Sequence, residues 1–283
     1  MSKIALVTDS TAYIPPDLVK QYNITVAPQV LIWGKEEFAD GVDIMPTEFY
    51  ERLSKASVMP STSQVTVGKM HEIFKGLLDQ DFQVLAILVS NKLSGTINSA
   101  VQAQAMLPEG APLKILDSNS VAMAMGFQVL AVARAVEQGA SLDEAVALAE
   151  KCINHTGVVF TVDTLEFLHR GGRIGGGKRF LGTALKIKPI LELQDGRVEG
   201  IEQVRTRSKS LTRIVELIEN RIAGRTPVRL ATLHANALED AQTVLQAASA
   251  RLNAVESIIS EVSPVVGTQA GPGTVGLAFM AGL

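Results

Sequence analysis

Residues 87–107, Ile-Leu-Val-Ser-Asn-Lys-Leu-Ser-Gly-Thr-Ile-Asn-Ser-Ala-Val-Gln-Ala-Gln-Ala-Met-Leu, decide how this chain is read. Ile87-Leu88-Val89-Ser90 is a short apolar run of the kind that a buried parallel strand has. Lys92-Leu93-Ser94-Gly95-Thr96 is a turn bearing hydroxyls and a glycine, and Ile97 to Leu107 has helical character. Strand, turn and helix in that order form the place where open α/β sheets bind ligands. A second hydroxyl-rich turn, Pro60-Ser61-Thr62-Ser63-Gln64, stands before a helix-like stretch from Val67 to Leu78. A helix start leaves backbone N–H groups unpaired and carries about half a positive charge. Hydroxyls placed there can build a small anion site from neutral donors. Taken singly, Ser61, Thr62 or Ser94 is also what an ordinary helix cap requires.

Outward from this stretch, the first half alternates. Ile4 to Val7, Ile24 to Leu31, Val84 to Val89 and Lys114 to Leu116 are predicted strands. Thr47 to Lys55, Val67 to Leu78, Ile97 to Leu107, Val121 to Gln138 and Leu142 to Asn154 are predicted helices, the last begun by Ser141 with Asp143 and Glu144 in its first turn. That alternation predicts a parallel sheet covered by helices. After His155 the pattern changes. Gly157 to Thr161 is expected to be a strand and Leu165 to His169 a short helix, followed by a glycine-rich basic turn from Arg170 to Lys178. Ile190 to Leu193 and Val198 to Val204 flank Asp195-Gly196, a pair that favours a tight antiparallel turn. Helices at Leu211 to Ile222 and Leu238 to Leu252 alternate with strands at Val228 to Leu233 and Val255 to Glu261. The expected fold is therefore α/β in two domains, a parallel-sheet domain over residues 1–155 and a mixed α/β domain over residues 156–283, with a ligand held between them.

Composition narrows the function. The 283 residues are 47% hydrophobic and 19% charged, enough for two domains with real cores. A net charge of −3 argues against a general nucleic-acid binder. Cys152 stands alone, so there is no intrachain disulfide and no cysteine-based metal cluster, and its apolar neighbours suggest a buried, inert thiol. No His/Asp/Glu set has ligand spacing, so no metal is expected. Asp9 and Asp117, each ending a strand beside serine, are expected as turn and cap residues. Glycines and prolines break the charge-free run from Val262 to Leu283, which excludes a membrane helix there. With no apolar export segment after Met1-Ser2-Lys3, a cytoplasmic protein is expected.

The motifs fall in a recognisable order. Thr8-Asp9-Ser10-Thr11 and Asp117-Ser118-Asn119-Ser120 join the two hydroxyl-rich turns. Asp163 to Ile174, Lys186 to Leu191, Val204-Arg205-Thr206-Arg207 and Gly271-Pro272-Gly273 follow. Together they resemble the DegV family of bacterial fatty-acid-binding proteins, from Thr8 to Gly276. The resemblance implies an EDD fold that holds one long-chain fatty acid, such as palmitate or oleate, in a buried tunnel between its domains. It implies a carrier with no cofactor and no catalytic residue of its own, in some members the carrier subunit of a fatty acid kinase that makes acyl-phosphate. The carboxylate contacts it implies are Thr62 and Ser94, with Ser61, Ser63, Gly95, Thr96 and Gly271 near the headgroup. The family histidine before Thr-Gly-Pro-Gly is replaced here by Gln269, followed by Ala270. Glutamine can donate an N–H to a carboxylate but carries neither a proton for transfer nor a positive charge.

The residues by themselves are compatible with such a ligand. The stretch from Val121 to Ala133 has no charge on any face, as in a helix buried all round or facing an apolar cavity. Burying about fifteen methylenes at ~0.8 kcal/mol each offers on the order of 12 kcal/mol gross, so the tail supplies affinity and the hydroxyls orient the headgroup. Lys92 is the one cation close in sequence to the two turns, which suits a carboxylate better than a phosphate. From Arg170 to Lys209, ten Lys or Arg face four acidic residues. Arg170, Arg173 and Arg205 in this basic segment are expected to dock a partner kinase or a transient membrane surface, unless the run is simply solvated. A serine hydrolase using Ser94 is the main alternative, but no Gly-x-Ser-x-Gly elbow surrounds it. A lipid-binding protein without kinase coupling and a sugar-phosphate or dihydroxyacetone-kinase-like enzyme are the others; the latter lacks a nucleotide-binding motif.

Overall fold

The computed structural model describes residues 3–180 and 187–283, so Lys186 of the Lys186–Leu191 motif lies outside the described residues. In chain order the first half contains β1 (Lys3–Asp9), α1 (Pro16–Gln21), β2 (Thr25–Ala27), β3 (Val30–Trp33), β4 (Glu36–Ala39), α2 (Pro46–Leu53), β5 (Ser61–Ser63), α3 (Val67–Leu78), β6 (Phe82–Leu88), α4 (Thr96–Gln104), β7 (Leu113–Asp117), α5 (Ala122–Glu137) and α6 (Leu142–Ile153). Strands β2-β1-β6-β7 form one sheet, and every pairing in it is parallel. The apolar run in β1, buried from Ala5 onward, has the composition that a strand covered on both faces needs. A small antiparallel sheet, β4-β3-β5, sits beside it.

Two expectations fail here for the same reason. Ile24 to Leu31 is not one strand: Pro28 and Gln29 separate β2 from β3, and the two strands join different sheets. Ser61, Thr62 and Ser63 do not start a helix either; they form β5, paired with β3 so that Thr62 lies opposite Leu31. Helix α3 is capped instead by Thr66, whose Oγ1 accepts the Lys69 N–H at 3.2 Å. In both stretches a tertiary strand partner overrides the local signal.

The second half contains β8 (Thr156–Thr161), α7 (Glu166–Arg170), β9 (Lys188–Gln194), β10 (Arg197–Val204), α8 (Arg207–Ile222), β11 (Val228–His234), α9 (Leu238–Leu252), β12 (Glu256–Glu261), α10 (Pro264–Ala270) and β13 (Val275–Ala281). Its sheet runs β10-β9-β8-β13-β11-β12, with only β11 and β12 parallel. The Asp195-Gly196 turn has positive φ at both residues, 46° and 75°, as a tight hairpin requires. Strand β13 lies inside this sheet and is buried along all seven residues, between α5 on one face and α8 and α9 on the other. The glycine-interrupted run that contains it gives no alternation, which is why the strand is hard to read from composition.

Helix α5 connects the two sheets. It touches β1 and β6 of the first and β8, β11 and β13 of the second. Every residue from Ala122 to Leu130 is buried, and one hydrophobic cluster runs through it from Leu6 to Met280. The charge-free surface of α5 is therefore mainly core between two layers, with small Ala and Gly residues allowing close approach. At Gly126 a side chain would meet the Ala12 carbonyl oxygen at 2.5 Å. Cys152, on α6, is buried, and burial pushes its thiol up to about 11. Ser141 caps α6 with a reciprocal pairing to Glu144, as its sequence signature indicates. Among the described residues no helix is long and apolar enough to cross a membrane.

Candidate functional site

In the parallel sheet, β2 lies to one side of β1 and β6 to the other, so the carboxyl ends of β1 and β6 border the crevice where such sheets bind ligands. Asp9 ends β1 in this crevice and is fully buried. Its carboxyl accepts the Val89 N–H at 2.8 Å from the end of β6, the Thr11 N–H at 3.0 Å, the Thr11 hydroxyl at 2.6 Å and the Gln29 amide at 3.3 Å. Burial raises its pKa while these four donors hold it down. Asp117 ends β7 and accepts the N–H groups of Asn119 at 2.8 Å and Asn91 at 3.2 Å. Both aspartates therefore act as turn and cap groups.

Above this crevice, between the two sheets, lies a cavity with about 120 Å³ open to the centre of a water-sized sphere. Its walls come from both halves of the chain: Val89, Leu93, Val121 and Ala122 from the first, Val158, Phe160, Leu168, Leu193, Val198, Leu233, Val262, Val265, Val266 and Ala270 from the second. Methyl groups and one phenyl ring dominate the surface. The polar lining is concentrated in Thr62, Ser63, Gln64, Ser94, Arg173 and Gln269, with Thr11, Tyr13, Gln29 and Thr274 completing it.

The three residues expected to hold a carboxylate, Thr62, Ser94 and Gln269, thus line one cavity although 207 positions separate the outer two. Gln269 Nε2 donates to Thr62 Oγ1 at 3.0 Å, and its Oε1 is buried without a partner among the described residues. Helix α10 brings it there, and that helix is held at its start by the Val265 N–H bonding Asp40 at 3.1 Å. Ser94 Oγ lies 2.9 Å from Thr96 Oγ1 and 3.5 Å from Gln29 Oε1 at the start of α4, whose cap position is Gly95. The Gln64 side chain passes over Gly95; a Cβ there would sit 3.0 Å from Gln64 Cδ. Of the flanking group, Ser63 also lines the cavity, whereas Ser61 is exposed, and Gly95, Thr96 and Gly271 support the walls without lining them. Gly271, at φ 80°, leaves space that the Phe167 ring fills.

The cations divide differently from their sequence order. Arg173 lines the cavity, with Nε donating to the Leu93 carbonyl at 3.1 Å and Nη1 to the Gly171 carbonyl at 2.6 Å. Lys92, the nearest cation in sequence, instead donates to the Asp195 carbonyl at 2.6 Å and is not part of the lining. Arg170 and Arg205 are exposed, Arg170 in an ion pair with Glu166. Much of the basic segment is paired at home, Lys188 with Asp163 at 2.7 Å and Arg207 with Asp240 at 2.8 Å. Arg173 bonds the Gly171 carbonyl, Gly171 packs against the Gln269 amide, and Gln269 bonds Thr62, so these groups are neighbours along one wall.

Gln29, Gln64 and the inward turn of Arg173 are cavity features that sequence reasoning does not place. Gln29 sits within what reads as one strand, and nothing local marks it. Among the described residues no group of three His, Cys, Asp or Glu could hold a metal ion.

Comparison with known proteins gives the family. A family model described as an uncharacterised protein of the DegV family matches residues 3–282. A DegV domain-containing protein of Halalkalibacterium halodurans is 35% identical over 280 residues, 99% of each chain. Among solved structures, a DegV family protein from Thermus thermophilus, described by its fatty acid binding, superposes with a TM-score of 0.93 at 32% identity, over 99% of each chain. DegV of Bacillus subtilis, a fatty acid binding protein, gives a TM-score of 0.90 at 32% identity, over 99% of this chain and 100% of that one.

Proposed function

The chain belongs to the DegV family over residues 3–282, and from its cavity we propose that it binds one long-chain fatty acid between two domains, residues 1–155 and 156–283. The observation that carries this reading is the meeting of Thr62, Ser94 and Gln269 in a cavity whose remaining walls are mostly apolar. The acyl chain lies along Val158, Phe160, Leu193, Val198, Val262 and Val265. The carboxylate takes donors from Thr62, Ser94 and Gln269 beside the Arg173 guanidinium. A charge-assisted hydrogen bond contributes roughly 1.5–3 kcal/mol, so two or three of them offset the several kcal/mol that desolvating a carboxylate costs.

The protein is a carrier in this reading, acting in the cytoplasm and presenting the carboxylate to a fatty acid kinase, with Arg170 and Arg205 on the docking face. Support for a carrier over a serine hydrolase comes from the surroundings of Ser94. Its hydroxyl partners are Gln29 and Thr96, neither of which is a general base, and among the described residues no His, Asp or Glu lines the cavity. The test is mass spectrometry of lipid extracted from the purified protein. A C14–C18 fatty acid at about one per chain is expected, and palmitate or oleate should raise the melting temperature. Lipid-free protein with no response to either would overturn the proposal.

A further inference from the structure

Gln29 occupies the link between β2 and β3, where the chain leaves the parallel sheet for the small one. Its backbone is fixed at both groups: the N–H donates to Ser10 Oγ at 3.2 Å and the carbonyl accepts the Asp40 N–H at 2.9 Å. The side chain is 3% exposed and faces the cavity. Four donors converge on the Asp9 carboxyl, which therefore acts as an acceptor, so Gln29 must turn its NH₂ toward Asp9. Its carbonyl Oε1 is then left pointing at Ser94, 3.5 Å away.

An amide oxygen only accepts. The Ser94 proton has two acceptors in reach, Gln29 Oε1 at 3.5 Å and Thr96 Oγ1 at 2.9 Å, where either hydroxyl can donate to the other. A carboxylate, which brings acceptors only, competes with Gln29 for that proton. A headgroup that carries its own O–H finds in Gln29 Oε1 an acceptor already aimed.

Building on the fatty-acid reading, we propose that Gln29 is a specificity-determining residue of the headgroup site, where its fixed amide oxygen lowers the preference for a carboxylate over a hydroxyl headgroup. Gln29→Met keeps the length of the side chain and removes both amide atoms. Gln29 then no longer competes with a carboxylate for the Ser94 proton, and the acceptor for an alcohol is lost.

The experiment measures affinities for oleate and for oleyl alcohol by displacement of a fluorescent fatty acid, with thermal melting as the check on folding. The ratio of the alcohol Kd to the oleate Kd is expected to rise about three- to tenfold in Gln29→Met, the worth of one neutral hydrogen bond. Asp9→Asn is the second variant. It offers Gln29 an amide in place of an acceptor-only group, lets the Gln29 amide invert, and should move the ratio in the same direction. A ratio unchanged while both affinities fall together would assign Gln29 a structural role and overturn the inference. A lower ratio would overturn it as well, because Gln29 would then be donating to the carboxylate. Wild-type protein that binds neither ligand would overturn the fatty-acid reading and this inference with it.

Discussion

Gly171→Ala tests the contribution of Gln269 without replacing it. Gly171 follows α7 with φ −72° and ψ −12°, a helical conformation that alanine adopts freely. Alanine is the better helix residue by about 1 kcal/mol, so the backbone loses nothing by the change. The added Cβ, however, would lie 1.6 Å from Gln269 Oε1 and 2.7 Å from its Cδ, while the next neighbour, the Phe167 carbonyl oxygen, stays at 3.4 Å. The flexible glutamine end has to swing away, and the 3.0 Å bond from its Nε2 to Thr62 goes with it. A bound carboxylate then loses the Gln269 donor and part of the alignment of Thr62. At roughly 1.5–3 kcal/mol per hydrogen bond to a charged group, and 1.4 kcal/mol per tenfold, oleate affinity should fall about 10- to 150-fold. Melting of the ligand-free protein should change little. Isothermal titration on Gly171→Ala, Gln269→Ala and the double variant checks the route: the two single changes should weaken binding similarly, and the double variant should add little, since both remove one interaction. Gly171→Ala binding oleate within twofold of wild type would refute the placement of Gln269 at the headgroup. Full additivity in the double variant would show that Gly171 acts elsewhere.

Two further outcomes follow from the buried polar groups and the hairpin. Burial raises the Asp40 carboxyl from 3.8 to about 6, so its stabilising contribution is present in acid and is lost as pH rises through about 6. The stability of Asp40→Asn relative to wild type should therefore rise between pH 4 and 7, by on the order of 2–3 kcal/mol in urea unfolding; a pH-independent difference refutes it. Taking the difference removes His234, whose pKa is lowered by burial and whose contribution runs the opposite way. At Gly196, φ is 75° and a Cβ would lie 2.2 Å from Ser90 Oγ. Gly196→Ala should undock the hairpin tip, which Ser90 and Lys92 hold at 2.9 and 2.6 Å. Because Leu193 and Val198 of that hairpin wall the cavity, oleate should dissociate several-fold faster in stopped-flow displacement, and an unchanged rate counts against this.

What could be read from the residues alone followed the range of the forces involved. The alternation in the first half gave the parallel sheet because a strand buried on both faces must be apolar through its buried middle, as β1 is from Ile4 to Val7 and β6 from Val84 to Leu88. The Asp195-Gly196 turn and the Ser141 cap were equally legible, since each is decided within four residues. Thr62 was misplaced as a helix start because β5 exists only through its pairing with β3, and three residues carry no strand signal of their own. Strand β13 escaped notice because both of its faces are covered by helices from distant parts of the chain. Gln29 was hidden for a related reason: what makes it polar lining is contact with Asp9 and Ser94, which lie 20 and 65 positions away.

The replacement of the family histidine by Gln269 can be weighed against what surrounds it. A histidine at this position could supply a donor, a positive charge and a transferable proton; glutamine keeps only the donor. The structure retains that donor, with Nε2 at 3.0 Å from Thr62. The charge has a second source in Arg173, which lines the same cavity and is held in place by the Leu93 and Gly171 carbonyls. A guanidinium stays protonated at any working pH, so a carboxylate in this cavity meets a permanent cation whatever stands at position 269. In the proposed reading, retention of a fatty acid therefore loses little with glutamine at this position. Proton transfer is another matter, because neither an amide nor a guanidinium exchanges a proton near neutral pH. In the proposed reading, any step that needs a proton moved at the headgroup has to draw it from the ligand or from water, which separates holding a fatty acid from activating it.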